Sequence, residues 1–117
     1  RANVGREMAE DLLALTSGEN QGGMNLPDGI LITDDVLASG ALDFFASRGI
    51  CIGHEVKSMK VASHSNKGSA LLASWESRIL RLQFDPDAMA AAMLDCLESR
   101  MEGHCSLAPR LIAPSLA

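Results

Sequence analysis

The sequence predicts an α/β domain in which helices flank a mostly parallel sheet. Short apolar runs of the β type alternate with segments whose apolar residues recur every three or four positions, the spacing of one helix face. Their order (helix, strand, helix, strand, loop, strand, helix, strand) is typical of parallel strands joined by crossover helices. At 117 residues, with 47% hydrophobic and 21% charged residues, the chain has the size and composition of one packed domain.

The helices are predicted from their apolar spacing and from the residues at their ends. A first helix covers residues 3–16, and a second covers 36–48 and ends at Gly49, which readily adopts the left-handed conformation of a helix cap. A third helix, over 86–102, begins with proline after Asp85, which is a favoured N-cap residue.

Strands are predicted from apolar runs and alternation over residues 29–33, 56–63, 79–84 and 107–113. The last run contains Pro109 and is followed by Pro114, and we place it at a sheet edge because proline has no backbone N–H. Residues 17–25 are polar with three glycines and are predicted to form a mobile surface loop. Residues 69–78 are predicted as a turn or a helical fragment.

The composition narrows the classes of function. A net charge of -5, with ten basic residues scattered among fifteen acids, argues against a nucleic-acid surface on this chain. No apolar run approaches the roughly 18 residues of a membrane span, and the amino end lacks a signal-peptide pattern. Three cysteines without a CxxC pair predict reduced thiols in a cytoplasmic protein, and neither a metal nor a cofactor is expected.

Two strand ends carry the candidate binding residues. Asp34 and Asp35 directly follow the first strand, and Ser63, His64 and Asn66 follow the second. Ligands of open α/β sheets bind outside the carboxyl ends of the strands, so both turns are candidate sites. One of the two acids also suits the N-cap of the following helix, and the second turn also fits a plain turn whose polar side chains satisfy local backbone groups.

Trp75, the only tryptophan, is a candidate for stacking on a ligand, with burial in the core or an interface as the alternative. The methionines at 89, 93 and 101 are expected in core or interface packing, and His54 and His104 are expected in solvent.

A catalytic function is not expected. Adjacent acids after a strand are also found in phosphate-accepting receiver domains, but these need a further Asp and a Lys at later strand ends, where this chain has Ser63 and His64. The chain has no GxSxG, GxxxxGK[ST] or GxGxxG motif.

Several motifs follow one another in an order that matches a known family. These are Pro27-Asp28-Gly29-Ile30, then Thr33-Asp34-Asp35-Val36-Leu37-Ala38-Ser39-Gly40-Ala41-Leu42, then Arg48-Gly49-Ile50, and later Gln83-Phe84-Asp85-Pro86 before a helix. They resemble the effector-binding domain of lactose-repressor/galactose-repressor (LacI/GalR-type) transcription regulators. The resemblance covers nearly the whole chain.

The resemblance implies one lobe of a periplasmic-binding-protein-like (type I) fold, with residues 1–117 as its carboxyl-terminal lobe. The DNA-binding headpiece and most of the amino-terminal lobe are not in this sequence, so DNA would be bound only through that headpiece. It further implies a small-molecule effector, a sugar or related polyol, contacted by Asp34, His64 and Asn66, and a homodimer. The alternative is a lobe of a periplasmic solute-binding protein for small-molecule uptake, which shares the fold.

Two positions depart from the family pattern. Val61-Ala62-Ser63-His64-Ser65-Asn66 replaces the common Gly-Phe/Tyr-Asp-Asp, and Asp34 replaces a frequent Asn. A sugar is therefore less firmly implied, since two adjacent acids would also suit a cationic ligand. We expect Asp34 to face the ligand and Asp35 to serve the helix start.

In the family, the helix at 86–102 packs on the other lobe. In this chain we expect it to fold onto the domain's own sheet or onto a neighbouring chain, as swapped elements do. The resemblance places the dimer interface on the exposed side of helix 36–48 and near residues 63–68.

Overall fold

The computed structural model describes residues 2–16, 26–104 and 109–117. The elements are helix α1 (Ala2–Thr16), strand β1 (Gly29–Ile32), helix α2 (Asp35–Ser47), strand β2 (Lys60–Asn66), a 3₁₀ turn (Ala73–Trp75), strand β3 (Leu80–Phe84), helix α3 (Pro86–Met101) and strand β4 (Ser115–Leu116). The loop predicted for 17–25 and the first two residues of the last predicted strand lie outside the described residues.

The four strands form one sheet in the order β1-β2-β3-β4. The first three are parallel and β4 is antiparallel to β3, so the predicted α/β class with a mostly parallel sheet is confirmed. Two local signals also hold: Gly49 has a φ of 73° after α2, and Asp85 caps α3 by accepting hydrogen bonds from two backbone N–H groups of the first turn.

The second strand was predicted over 56–63 and covers Lys60–Asn66, so its predicted start is four residues and its predicted end three residues too early. Ser63, His64 and Asn66, which were predicted to follow the strand, are part of it and pair with β3. Residues 56–59 alternate in sequence, but β1 begins at Gly29, whose partner in the sheet is Lys60. The preceding residues have no strand beside them apart from a single bridge between Met59 and Ile52. The ammonium of Lys60 instead ties this segment into a loop, donating to the carbonyl oxygens of residues 55, 56 and 58 at 2.5, 3.2 and 2.7 Å.

The last strand was also predicted too early and too long. Residues 109–114 are not in a strand, and only Ser115–Leu116 pairs with β3. Pro109 and Pro114 have no N–H to donate to a sheet ladder, which explains the delay. The edge of the sheet is occupied instead by β4, after Pro114.

One face of the sheet carries the core. Side chains on this inner face pack beneath α2, with α1 against α2, and the buried hydrophobic residues are Ala9, Ala38, Ala41, Leu42, Phe44, Phe45, Ile52, Met59, Val61, Leu72, Trp75 and Ile79. The opposite face, which we call the open face, has exposed apolar side chains. Its members are Leu31, Lys60, Ala62, His64, Asn66, Leu80, Leu82, Phe84 and Leu116.

Two glycines let α1 and α2 approach closely. A Cβ atom at Gly5 would lie 2.0 Å from the carbonyl oxygen of Leu37, and one at Gly40 would lie 1.9 Å from that of Ala2. Only a residue without Cβ fits these two positions at the observed distance between the helices.

The prediction that the helix at 86–102 packs on the domain's own sheet is wrong. No residue of α3 is buried, and Met93 and Met101 are 70% and 79% exposed, so the expected core role of these methionines is wrong as well. The helix starts directly after β3 and extends away from the sheet, in a chain that measures 66 Å in its longest dimension and 26 Å in the next. Packing of α3 on a neighbouring chain remains a prediction.

Candidate functional site

A groove of about 460 Å³ lies on the open face at the carboxyl ends of the parallel strands. The strands supply most of its wall, and the first turn of α3 supplies Met89. The lining residues are Leu31, Thr33, His64, Asn66, Leu82, Phe84 and Met89. Three of them are polar, and four are apolar, so the groove offers hydrogen-bonding groups beside an apolar wall.

Parallel register brings the polar and apolar groups together. His64 is the sheet partner of Leu82, and Asn66 is the partner of Phe84, so the four side chains share one face. The imidazole of His64 meets the ring of Phe84 edge-on, with the centroids 4.9 Å apart and the planes at 69°. The histidine is half-buried at the groove wall.

The predicted roles of the two acids at the end of β1 are wrong in one respect. Asp34, and not Asp35, is the N-cap of α2, and its Oδ1 accepts a hydrogen bond from the N–H of Leu37 at 3.0 Å. Asp35 is the first helical residue, and a negative charge at this position interacts favourably with the positive end of the helix dipole. Neither acid lines the groove. The cap position follows from backbone geometry, because Asp34 is extended (φ -136°, ψ 126°) and Asp35 is already helical.

Two further candidates lie away from the groove. Ser63 is fully buried on the inner face, and its hydroxyl donates to the carbonyl oxygen of His64 at 3.0 Å. Side chains alternate between the faces of a strand, so Ser63 and His64 cannot both face the groove. Trp75 is 5% exposed in the core, with the guanidinium of Arg78 4.0 Å from its ring centroid. The alternative of core burial is therefore the one observed for Trp75.

Sequence reasoning missed the apolar half of the groove. The alternation of Leu80, Leu82 and Phe84 with Arg81 and Gln83 was used to predict a strand, and it also places the three apolar side chains on the same face. The alternation of apolar and polar residues over 80–84 could therefore have indicated an apolar wall beside His64. Nothing local to Met89 indicates that it reaches the groove.

An ion pair lies beside the groove, outside its lining. Lys67 Nζ is 3.9 Å from Asp85 Oδ2, while Oδ1 of the same carboxylate caps α3. At α3, Arg110 forms an ion pair with Asp95 that ties the 109–114 segment to the helix, and the hydrogen bond and charge of Asp95 raise the pKa of Arg110. No Asp, Glu, Lys or Arg is among the groove residues.

A second groove, of about 420 Å³, lies between α1 and β1. Its lining is apolar apart from Asp11 and Thr33, and includes Met8, Leu12 and Leu15. This groove lacks the convergent polar groups that orient a small ligand, and we do not consider it the candidate site.

Within the described residues, no group of three His, Cys, Asp or Glu side chains is placed to hold a metal ion. Cys51 and Cys96 have free thiols, and His54 and His104 are exposed as expected. None of the helices described here is long and apolar enough to cross a membrane. The hydrogen-bonding groups of the groove are the hydroxyl of Thr33, the imidazole of His64 and the amide of Asn66.

No protein-family model, curated protein or solved structure matches this chain.

Proposed function

We propose that this chain is the carboxyl-terminal lobe of the effector-binding domain of a LacI/GalR-type transcription regulator, and that it binds a small, uncharged metabolite such as a sugar or polyol without catalysing a reaction. The single observation that carries the proposal is the groove at the carboxyl ends of the parallel strands. There, Thr33, His64 and Asn66 stand beside Leu82 and Phe84.

The chemistry of the groove favours a sugar-like ligand. Hydroxyl groups on a sugar ring can pair with the hydroxyl, imidazole and amide groups, and the C–H face of the ring can pack on Phe84 and Leu82. The cationic alternative loses support, because Asp34 caps α2 and neither acid at the end of β1 lines the groove.

The positions of the family motifs add support to the regulator assignment. Pro27-Asp28 leads into β1, Thr33-Asp34-Asp35 forms the turn from β1 to α2, and Gly40 lies at the close approach of α2 to α1. In the proposed protein, a ligand held between this groove and a second lobe favours the closed arrangement of the lobes. A dimer interface on α2 then passes that bias to the DNA-binding headpieces. The second expected part of the interface, near 63–68, is not kept, because Ser63 and Ser65 are buried and His64 and Asn66 line the groove.

The binding proposal is tested by NMR titration of the ¹⁵N-labelled chain with glucose, galactose, ribose and sorbitol at millimolar concentration. We expect shifts confined to the groove residues for at least one of these probes. His64→Ala and Asn66→Ala should each weaken that binding about threefold to tenfold, the effect of one lost hydrogen bond.

His54→Ala is the matched control, because His54 is exposed in the loop before β2, at the opposite end of that strand. It should leave the affinity unchanged. Shifts that avoid the groove, or an equal loss of affinity in the control, would contradict the assignment of the site.

The regulator assignment is tested by the gene sequence upstream of this chain. A helix-turn-helix segment there supports a cytoplasmic regulator, whereas a secretion signal supports the solute-binding alternative and would overturn the proposal.

A further inference from the structure

Met89 differs from the other groove residues in where it comes from. Six of the seven lining residues belong to the three parallel strands or directly follow one of them, whereas Met89 belongs to the first turn of α3. Its side chain stands at the carboxyl end of β3, in the same groove wall as Phe84, the last residue of that strand. The groove is therefore bounded at this end by a helix and not by the sheet.

The start of α3 is held by hydrogen bonds to Asp85. Oδ1 of Asp85 accepts hydrogen bonds from the N–H groups of Asp87 and Ala88 at 3.0 and 3.3 Å. The N–H of Met89 donates to the carbonyl oxygen of Asp85 at 3.0 Å. Lys67 places its ammonium 3.9 Å from the other carboxylate oxygen of the same residue. The backbone of Met89 is thus tied to the end of β3, and the groove has a fixed wall there.

The size of the groove suits a ligand of one ring. Its volume of about 460 Å³ is near the lower end of the roughly 300–1,000 Å³ of small-molecule sites. The lining crosses three neighbouring strands, which at about 4.8 Å between strands spans about 10 Å. One sugar ring with its hydroxyl groups fits this span. A second ring that extends past the carboxyl end of β3 meets the side chain of Met89.

We propose that Met89 is the specificity-determining residue of the groove and limits its ligand to a single sugar ring. The inference rests on the proposed function, because it names the size of the ligand for the same groove. Exclusion of a larger ligand requires a wall that does not move aside, and the hydrogen bonds at the start of α3 supply one. The methionine side chain itself is flexible, so we expect the exclusion to be moderate, about fivefold to tenfold in affinity.

The test is NMR titration of the ¹⁵N-labelled chain with two pairs of probes, glucose with maltose and galactose with lactose. We expect at least one monosaccharide to bind about fivefold to tenfold more tightly than its disaccharide. Met89→Ala should remove most of this preference by admitting the second ring, and Met89→Leu, which keeps the bulk of the side chain, should retain it. These variants should fold, since no residue of α3 is buried.

Met93→Ala is the matched control. Met93 lies one turn further along α3 and is not among the groove residues, so its removal should leave the preference unchanged. A second pair of variants tests whether the cap holds the wall. Asp85→Ala removes the cap of α3 and should reduce the preference for the monosaccharide, whereas Asp85→Asn keeps a capping oxygen and should preserve it.

The possible failures of the two proposals are distinguishable. If the unchanged chain binds maltose or lactose as tightly as the corresponding monosaccharide, or if Met89→Ala keeps the preference, the size limit is overturned while the proposed function stands. An equal loss of preference in Met93→Ala would also overturn it. If none of the four probes shifts the groove residues in any variant, the proposed function fails, and the size limit fails with it.

Discussion

The contact between α1 and α2 gives the sharpest prediction for stability, because it depends on a single missing methyl group. In Gly5→Ala the new Cβ would lie 2.0 Å from the carbonyl oxygen of Leu37 and 2.9 Å from its Cα. An ordinary carbon–oxygen contact is about 3.3 Å or more. The overlapping atoms belong to the α2 backbone and cannot rotate away, so the helices must separate by about 1 Å or more.

The expected change is the balance of two effects. Overpacking of a close contact destabilises by about 1 to 3 kcal/mol, and a clash with backbone belongs at the upper end. Alanine favours the helix over glycine by about 1 kcal/mol. The net loss in the free energy of unfolding is about 2 kcal/mol, which lowers the urea midpoint by about 1 to 2 M for a chain of this size.

The assay is urea unfolding followed by the fluorescence of Trp75, the only tryptophan, which is buried. Gly29→Ala is the matched control, because a Cβ there meets the carbonyl oxygen and Cβ of Lys60 at 3.4 and 3.8 Å, ordinary contact distances. It should leave the midpoint unchanged or slightly raised. An unchanged midpoint in Gly5→Ala, or an equal drop in the control, would refute the reasoning.

Three further predictions concern hydrogen bonds of single side chains. Asp34→Ala should reduce the free energy of unfolding by about 1 kcal/mol through loss of the α2 cap, and Asp34→Ser should recover most of it, whereas equal losses in both would argue against capping. Lys60→Met should speed amide hydrogen exchange in the loop at 53–58 severalfold, because it removes the donor to three carbonyl groups of that loop. Lys57→Met is the control and should leave the exchange rates unchanged. Equal exchange rates in the two variants would show that Lys60 does not hold the loop. Glu76→Ala should lower the free energy of unfolding by about 1 kcal/mol, because the buried Arg81 donates from Nη2 to Glu76 at 3.2 Å and its Nε already lacks a hydrogen-bond partner. An unchanged urea midpoint would show that this pair contributes little.

Local signals in the sequence predicted the element ends that depend on only a few residues. Asp85 and Pro86 start α3, and Gly49 follows the end of α2, because capping and the left-handed glycine conformation involve only neighbouring backbone groups. The alternation over 56–63 predicted the strand but neither its start nor its end at Asn66, since a strand exists only where another strand lies beside it. That neighbour, β1, begins opposite Lys60.

The candidate site was predicted only in part. His64 and Asn66 do reach the groove, while Ser63 points to the inner face and Trp75 lies in the core. The adjacent acids were identified as a strand end and helix start, but which of them caps α2 depends on the exact residue at which the backbone becomes helical. A shift of one residue reverses the two roles.

The sequence by itself determined the α/β class, the order of the elements and the N-cap of α3, because periodicity and caps act over a few residues. Only the tertiary structure decided that Leu82 and Phe84 stand beside His64 and Asn66, that one sheet face stays open, and that α3 extends away from the sheet. These features arise from strand register and from packing between segments that are distant in the sequence. Local sequence patterns do not specify how such segments pack together.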